Sequence, residues 1–351
     1  MIRERRWEHG SDQHWVHATS PVAASYPWAD RGVLFGTGRH ALNGVLEVTG
    51  ARRLWIPSFY CPDVIAAIPN KQLVIEVYRE SPLDLVDDLS GLPVESGDIV
   101  LVQNLFGLRL GPPKLPAGAV VLEDHTHDPT SPWATSSRAD YCFSSLRKLL
   151  PVADGGVAWS PVGRALPSEP LLDPAHANAA LDRLTGILLK AAYLVGGAID
   201  KAVYRAHLVA GERALAHGAQ TTLLPLTRGC LSGFPIASWR AARNANVRAF
   251  ADALGRPEGA FLLAPPRGAV AFTATLCFAT PELRERVRQA LIAAQIYPAV
   301  LWPLETASYV VPRDEVALSR RLFSLHCDHR YTAADLERVA TEVKLALTSA
   351  K

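Results

Sequence analysis

The first half of the chain repeats one pattern: a short apolar run, a Gly, Pro or Asp, and then a polar or helical interval. The runs are GVLFGTG (32–38), RLWIPSF (53–59), QLVIEVY (72–78), DIVLVQNLFG (98–107), AVVLEDH (119–125), DYCFSS (140–145) and GVAWS (156–160). Runs of this length, bounded by turn residues, predict buried strands. Their hydrophobicity is continuous rather than alternating, which favours a mainly parallel sheet covered on both faces. The pattern therefore predicts a large α/β domain of about seven strands.

Beyond it, 161–180 is rich in Pro and Ala and reads as a loop. The spacing of Leu181, Leu184, Leu188, Val195, Ile199 and Val203 predicts helix through 181–215. A second helix is expected over 237–254. The last hundred residues read strand (AVAFTATLCF), helix (PELRERVRQALIAAQ), strand (YPAVLW), strand (FSLHCD) and helix (TAADLERVATEVKLAL), a small α/β lobe. Thr332 is the expected N-cap of that closing helix, with Asp335 placed for a capping box. The expected division is 1–235 for the large domain with its N-terminal segment and 236–351 for the small one.

Charge and cysteine content narrow the function. A net charge of +2 gives no global attraction to nucleic acid or an anionic membrane. The N-terminal MIRERRWEHG lacks the apolar core of a secretory signal, and AAYLVGGAI (191–199) is too short to span a bilayer. Five scattered cysteines form no CxxC pair and no close Cys/His cluster, so neither a metal site nor a disulfide framework is expected. HCDHRY (326–331) lacks the second cluster a metal site needs. A reduced, cytoplasmic setting follows.

Three elements carry chemistry. The chain has seven lysines among its 36 basic residues, and Lys148 lies between two short apolar runs. Burial lowers an amine pKa and exposes the neutral nucleophile, which condenses with an aldehyde. Asp124 ends a buried-strand pattern, where α/β folds bind ligands. A carboxylate there suits the pyridine nitrogen of pyridoxal phosphate, which it keeps protonated. FGTGRHAL (35–42) runs from strand through Gly-Thr-Gly into helix, so free N–H groups and the helix dipole converge on a phosphate cradle. Glycine turn, aspartate and lysine follow one another in the order of fold-type I pyridoxal-phosphate enzymes.

On these segments the chain resembles the DegT/StrS-type, or sugar, aminotransferases. TGRHAL is similar to their phosphate turn, IPSFYCPDVIAAI to the segment with the ring-stacking residue, and LVQNLFG to their Val-His strand. VLEDHTH is similar to their Glu-Asp-Ala-Ala-His motif and FSSLRKLLPVADGGV to their Schiff-base lysine segment. The resemblance covers most of 30–160 and returns in FSLHCDHRYTAADLERV. It implies pyridoxal phosphate bound through Lys148, which would also shuttle the proton. Asp124 would pair with the pyridine nitrogen, and His127 would lie near the ring. The backbone around Gly38, Arg39 and His40, with Ser144 or Ser145, would hold the phosphate. Alignment puts Cys61 at the stacking position, but Tyr60 offers the aromatic face and is the residue expected there.

For substrate, the implied residues are Asn104, at the position of the family's strand histidine, Trp302, His326 and Arg330, the last as a carboxylate ligand. The family's motif some forty residues after the lysine is missing. In its place lies the apolar stripe of 181–199, expected to favour packing or a small ligand over a sugar nucleotide. The expected activity is amino-group transfer from a small amino donor to a keto acceptor by a homodimer. Elimination, carbon–carbon bond formation or a non-catalytic regulatory role are the alternatives.

Overall fold

The computed structural model describes residues 5–10, 12–16, 23–216 and 218–349; residues 1–4, part of the N-terminal signal reading, lie outside them. All seven apolar runs are strands: β1 (Val33–Phe35), β2 (Arg53–Pro57), β3 (Val74–Tyr78), β4 (Ile99–Gln103), β5 (Val120–Asp124), β6 (Tyr141–Ser145) and β7 (Gly156–Trp159). They form one sheet in the order β1-β7-β6-β5-β4-β2-β3. Strands β2 to β6 are mutually parallel where they pair, and β7 runs against both of its neighbours. Burial on both faces explains the unbroken apolar runs. In β4, Ile99 and Leu101 pack with Leu42, Leu54 and Phe143 on one face, while Val100 and Val102 meet Trp55 and Trp133 on the other.

The C-terminal lobe has a three-stranded antiparallel sheet, β8 (Ala260–Leu262), β9 (Ala274–Phe278) and β10 (Leu322–Leu325), with β9 central. Helices Ile236–Leu254, Pro281–Ala293 and Ala333–Ser349 cover it, with Phe250, Val287, Leu336 and Val343 in the shared core. The capping box forms: Thr332 N donates to Asp335 Oδ2 at 2.8 Å, and Asp335 N to Thr332 Oγ1 at 3.3 Å.

Three expectations change, the first being the loop over 161–180, whose last residues already belong to a helix that starts at Pro174. The segment 181–215 is not one helix but two, Pro174–Leu194 and Lys201–Leu215. Gly196, at φ 91°, breaks the first, and the Asp200 side chain accepts from Ala202 N at 2.8 Å to start the second. The strand expected in YPAVLW shrinks to Ile296–Tyr297, which pairs in parallel with His9–Gly10. Residues 7–10 accordingly sit on the C-terminal lobe: Trp7 Nε1 donates to Asp335 Oδ1 at 2.7 Å, and Gly10 N to Tyr331 Oη at 2.8 Å. Among the described residues, no helix is long and apolar enough to cross a membrane.

Candidate active site

The carboxyl ends of β2, β4, β5 and β6 open into one cavity of about 530 Å³, the position at which open α/β sheets bind ligands. Asp124 is the last residue of β5, Ser145 the last of β6, and Lys148 ends the short turn Leu146–Lys148 that follows. The helices Pro174–Leu194 and Lys201–Leu215 supply a further wall, and Trp302 and His326 of the C-terminal lobe another.

Asp124 is buried, and burial pushes its carboxyl above the ordinary range. Two donors oppose that shift: Tyr60 Oη donates to Oδ2 at 2.7 Å and Thr126 N to Oδ1 at 2.9 Å. Tyr60 was expected as a stacking face; it is itself almost fully buried, and its hydroxyl positions Asp124. The Lys148 side chain is exposed to the open cavity, with protein packed around it on the remaining sides. The surrounding protein, and then the Arg147 guanidinium, lower its amine pKa, which enlarges the neutral fraction.

His127 is buried on the cavity wall. Its Nδ1 accepts from Phe106 N at 3.0 Å, which leaves the ring proton on Nε2. Burial, with Lys148 nearby, holds it down to about 3. The donor Phe106 has φ 51°, a strained conformation for an aromatic residue, and Gly107 follows at φ 71°. The His127 ring lies near parallel to Phe272 at 4.6 Å and Trp302 at 5.8 Å.

The glycine turn forms the far end. Thr37 caps the helix Gly38–Thr49, its side chain accepting from His40 N at 3.2 Å. A Cβ on Gly38 would come within 2.8 Å of Ser145 Cβ, and one on Gly156 within 2.1 Å of Thr37 O. Only glycine allows β7, the helix start and Ser145 to close around this notch.

Several expected residues lie elsewhere. His40 is buried against His176, with ring centroids 5.8 Å apart, and its N–H is taken by the cap. Ser144 points into the sheet core while Ser145 lines the cavity, because successive strand residues face opposite ways. Asn104 is also off the cavity: its Oδ1 accepts from Arg109 N at 3.3 Å to brace a turn, and Gln103 takes the wall position. Arg330 is not free for substrate, since Nε and Nη2 grip Asp328 at 2.7 and 2.8 Å. Gly38, Arg39, Tyr60, Asp124, His127, Ser145, Lys148, Trp302 and His326 do share the cavity.

The sequence reading missed Thr126, Gln103, Arg147, Arg183 and Glu212 on the wall. The helical hairpin is not the donor-poor surface expected of it: Leu181, Leu188 and Val195 face outward, while Arg183, Lys201, Arg205 and Glu212 line the cavity. A cluster absent from the linear sequence also forms behind Asp124, where ligand atoms of Glu123, His125 and Cys142 lie within 4.8 Å of one another. Hydrogen bonds knit it. Glu123 Oε2 lies 2.8 Å from His125 Nε2 and accepts from Ser137 Oγ at 2.7 Å, and burial keeps the Cys142 thiol protonated.

Burial also lowers His9 to about 3 and His40 to about 4, helped by His326 and His176 respectively. With His127, these rings stay neutral when folded, whereas the unfolded chain protonates near pH 6.5. The unfolded state thus binds more protons below that pH, and stability falls as pH drops from about 6.5 toward 4, by up to about 1.4 kcal/mol per pH unit for each ring. Thermal melting should show Tm declining from pH 7 to pH 5, less steeply in His9→Gln. A flat profile would contradict these assignments.

No family model matches the chain, and no curated protein matches it. Solved structures do match in fold. DesV from S. venezuelae, in complex with a ketimine intermediate, is 17% identical with a TM-score of 0.56, over 90% of this chain and 84% of that one. Sugar aminotransferase CalS13 from Micromonospora echinospora is 16% identical with a TM-score of 0.56, over 90% and 87%. Spr1654 from Streptococcus pneumoniae in its PLP form is 11% identical with a TM-score of 0.56, over 94% and 93%. The chain has the fold-type I architecture: a mixed, mainly parallel seven-stranded sheet with flanking helices.

Proposed function

We propose that this chain is a pyridoxal-phosphate-dependent aminotransferase, working as a homodimer, that aminates a keto group on a small biosynthetic intermediate. One observation carries the reading: Lys148, Asp124 and the Gly38–Ser145 notch face a single cavity. Each suits a different part of one ligand. The buried carboxylate of Asp124 has hydrogen-bonding neighbours but, among the described residues, no ion-pair partner, and fits a cationic ring N–H. At the notch the start of the helix Gly38–Thr49 faces the cavity with no side chain on Gly38, and its backbone amides suit a phosphate. When bound, the cofactor supplies an aldehyde that captures amines and a protonated ring that takes up the electron pair released at the substrate carbon.

The chain's own groups do the rest. Lys148, with its lowered pKa, would hold the cofactor through its neutral amine, and its Nζ would be the group that carries a proton at the substrate carbon. Asp124 keeps a proton on the ring nitrogen, and Tyr60 and Thr126 fix its two oxygens. His127, neutral, would offer its Nε2 proton as a fixed donor to a group in the cavity. Trp302 and Phe272 shield that side from water.

Cofactor-loaded protein should be yellow, bleach with an amino donor such as glutamate, and regain colour with a keto acceptor. The acceptor panel should hold keto acids, aldehydes and nucleotide keto-sugars, since the basic hairpin residues offer donors that an apolar wall would lack. A loaded protein that no amino donor bleaches would reject transamination.

A further inference from the structure

Besides Arg205, the cavity wall carries three guanidiniums from three elements: Arg39 in the first turn of Gly38–Thr49, Arg147 in the turn after β6, and Arg183 in Pro174–Leu194. Glu212 lies between two of them. Its carboxylate accepts from both terminal nitrogens of Arg147, Nη2 to Oε1 at 3.2 Å, and from Arg183 Nη1 to Oε2 at 2.9 Å. Arg183 also reaches Asp12 Oδ1 at 3.4 Å. Among the described residues Arg39 has no such partner: Nη2 donates to the carbonyl of Leu215 at 3.2 Å, and Asp63 faces the same wall without an ion pair to it. Arg39 is half-buried, and its neighbour in sequence, Gly38, forms the notch with Ser145.

This arrangement has donors to spare. A half-buried guanidinium held only by a carbonyl retains most of its N–H groups and its full charge for an anion. Arg147 presents a fork, and the geometry of that fork matches phosphate as well as carboxylate. Glu212 fills it at present, but its side chain is 45% exposed toward the cavity rather than packed. Burial opposes its charge, and the arginines override that opposition, holding its carboxyl well below the usual range. Among the described residues its hydrogen-bond and ion-pair partners are Arg147 and Arg183.

We propose that Arg39 and Arg147 form a phosphate-monoester site and that Glu212 is an internal carboxylate which an incoming phosphate displaces from Arg147. The phosphate belongs either to the cofactor or to the substrate. The inference rests on the functional reading above only for the name of that ligand. Its signature is a pair of opposite effects. Removing an arginine removes donors and charge; neutralising Glu212 removes a competitor.

The test measures dissociation constants of pyridoxal phosphate, pyridoxal and inorganic phosphate for wild type, Arg39→Gln, Arg147→Gln and Glu212→Gln, each checked for folding by thermal melting. Both arginine variants should weaken phosphate-ligand binding at least about tenfold, and Glu212→Gln should tighten it about threefold. If the cofactor supplies the phosphate, these shifts appear in the affinity for pyridoxal phosphate, vanish for pyridoxal, and inorganic phosphate competes with the cofactor. If the substrate supplies it, cofactor affinity stays constant and the same pattern appears for inorganic phosphate binding to loaded enzyme. Should buried Arg147→Gln fail to fold, the more exposed Arg39→Gln carries the test with Glu212→Gln. Folded arginine variants with unchanged affinity for both ligands overturn the proposal. So does a Glu212→Gln that weakens binding as the arginine variants do, which would make the carboxylate a structural clamp. Phosphate binding with this pattern in a protein whose Lys148 never captures the cofactor would uphold the site while rejecting the aminotransferase reading.

Discussion

Lys148→Ala is expected to lose turnover by a factor on the order of 10⁴ while keeping its fold. The side chain points into the cavity rather than into the core, so its removal leaves no packing void. Two functions disappear together, covalent capture of the cofactor aldehyde and proton transfer at the substrate carbon. Nothing nearby can replace them. His127 is neutral and fixed by Phe106 N, and Cys61, the thiol on the same wall, is held protonated by burial. Added small amines should restore part of the rate, because they supply a mobile base without the tether. A variant with near-normal turnover and no added amine would remove Lys148 from the chemistry.

Asp124→Ala is expected to slow the half-reaction with an amino donor by about 10³-fold, or about 4 kcal/mol in the barrier. The mutation deletes the carboxylate that β5 turns into the cavity, and with it the charge that would keep a ring nitrogen protonated. It also strands the Tyr60 hydroxyl and the Thr126 amide, so a moderate loss of Tm should accompany it. Tyr60→Phe separates the two effects: it removes one hydrogen bond to Asp124 and should cost far less in rate. Single-turnover absorbance measurements read both variants. Rates for Asp124→Ala close to wild type would mean that the carboxylate serves only to brace the turn at Thr126.

The residues that the sequence made legible share a physical reason. Asp124, Ser145 and Lys148 follow directly from apolar runs, and a parallel sheet brings all such ends to one edge. Errors of one position arise from strand alternation, which decides that Gln103 and not Asn104, and Ser145 and not Ser144, faces the cavity. Arg330 was misassigned although its partner stands two residues away at Asp328. A local Asp-x-Arg pair should have suggested a closed ion pair. The break at Gly196 also had a visible signal, the Gly-Gly pair followed by Asp200 as a cap.

The rest had no local trace. Arg147, Arg183 and Glu212 meet only because two helices fold back across the sheet edge, and the apolar stripe of the first helix masked its polar face. The Glu123–His125–Cys142 network likewise depends on the pairing of β5 with β6, which places Cys142 opposite Glu123.

The central claim is that Lys148 captures the cofactor, and it has a direct measurement. Protein loaded with pyridoxal phosphate is treated with borohydride, digested, and mapped by mass spectrometry. The account predicts a single reduced pyridoxyl group on the peptide containing Lys148. A label on Lys190, on Lys114 or on no lysine would contradict it.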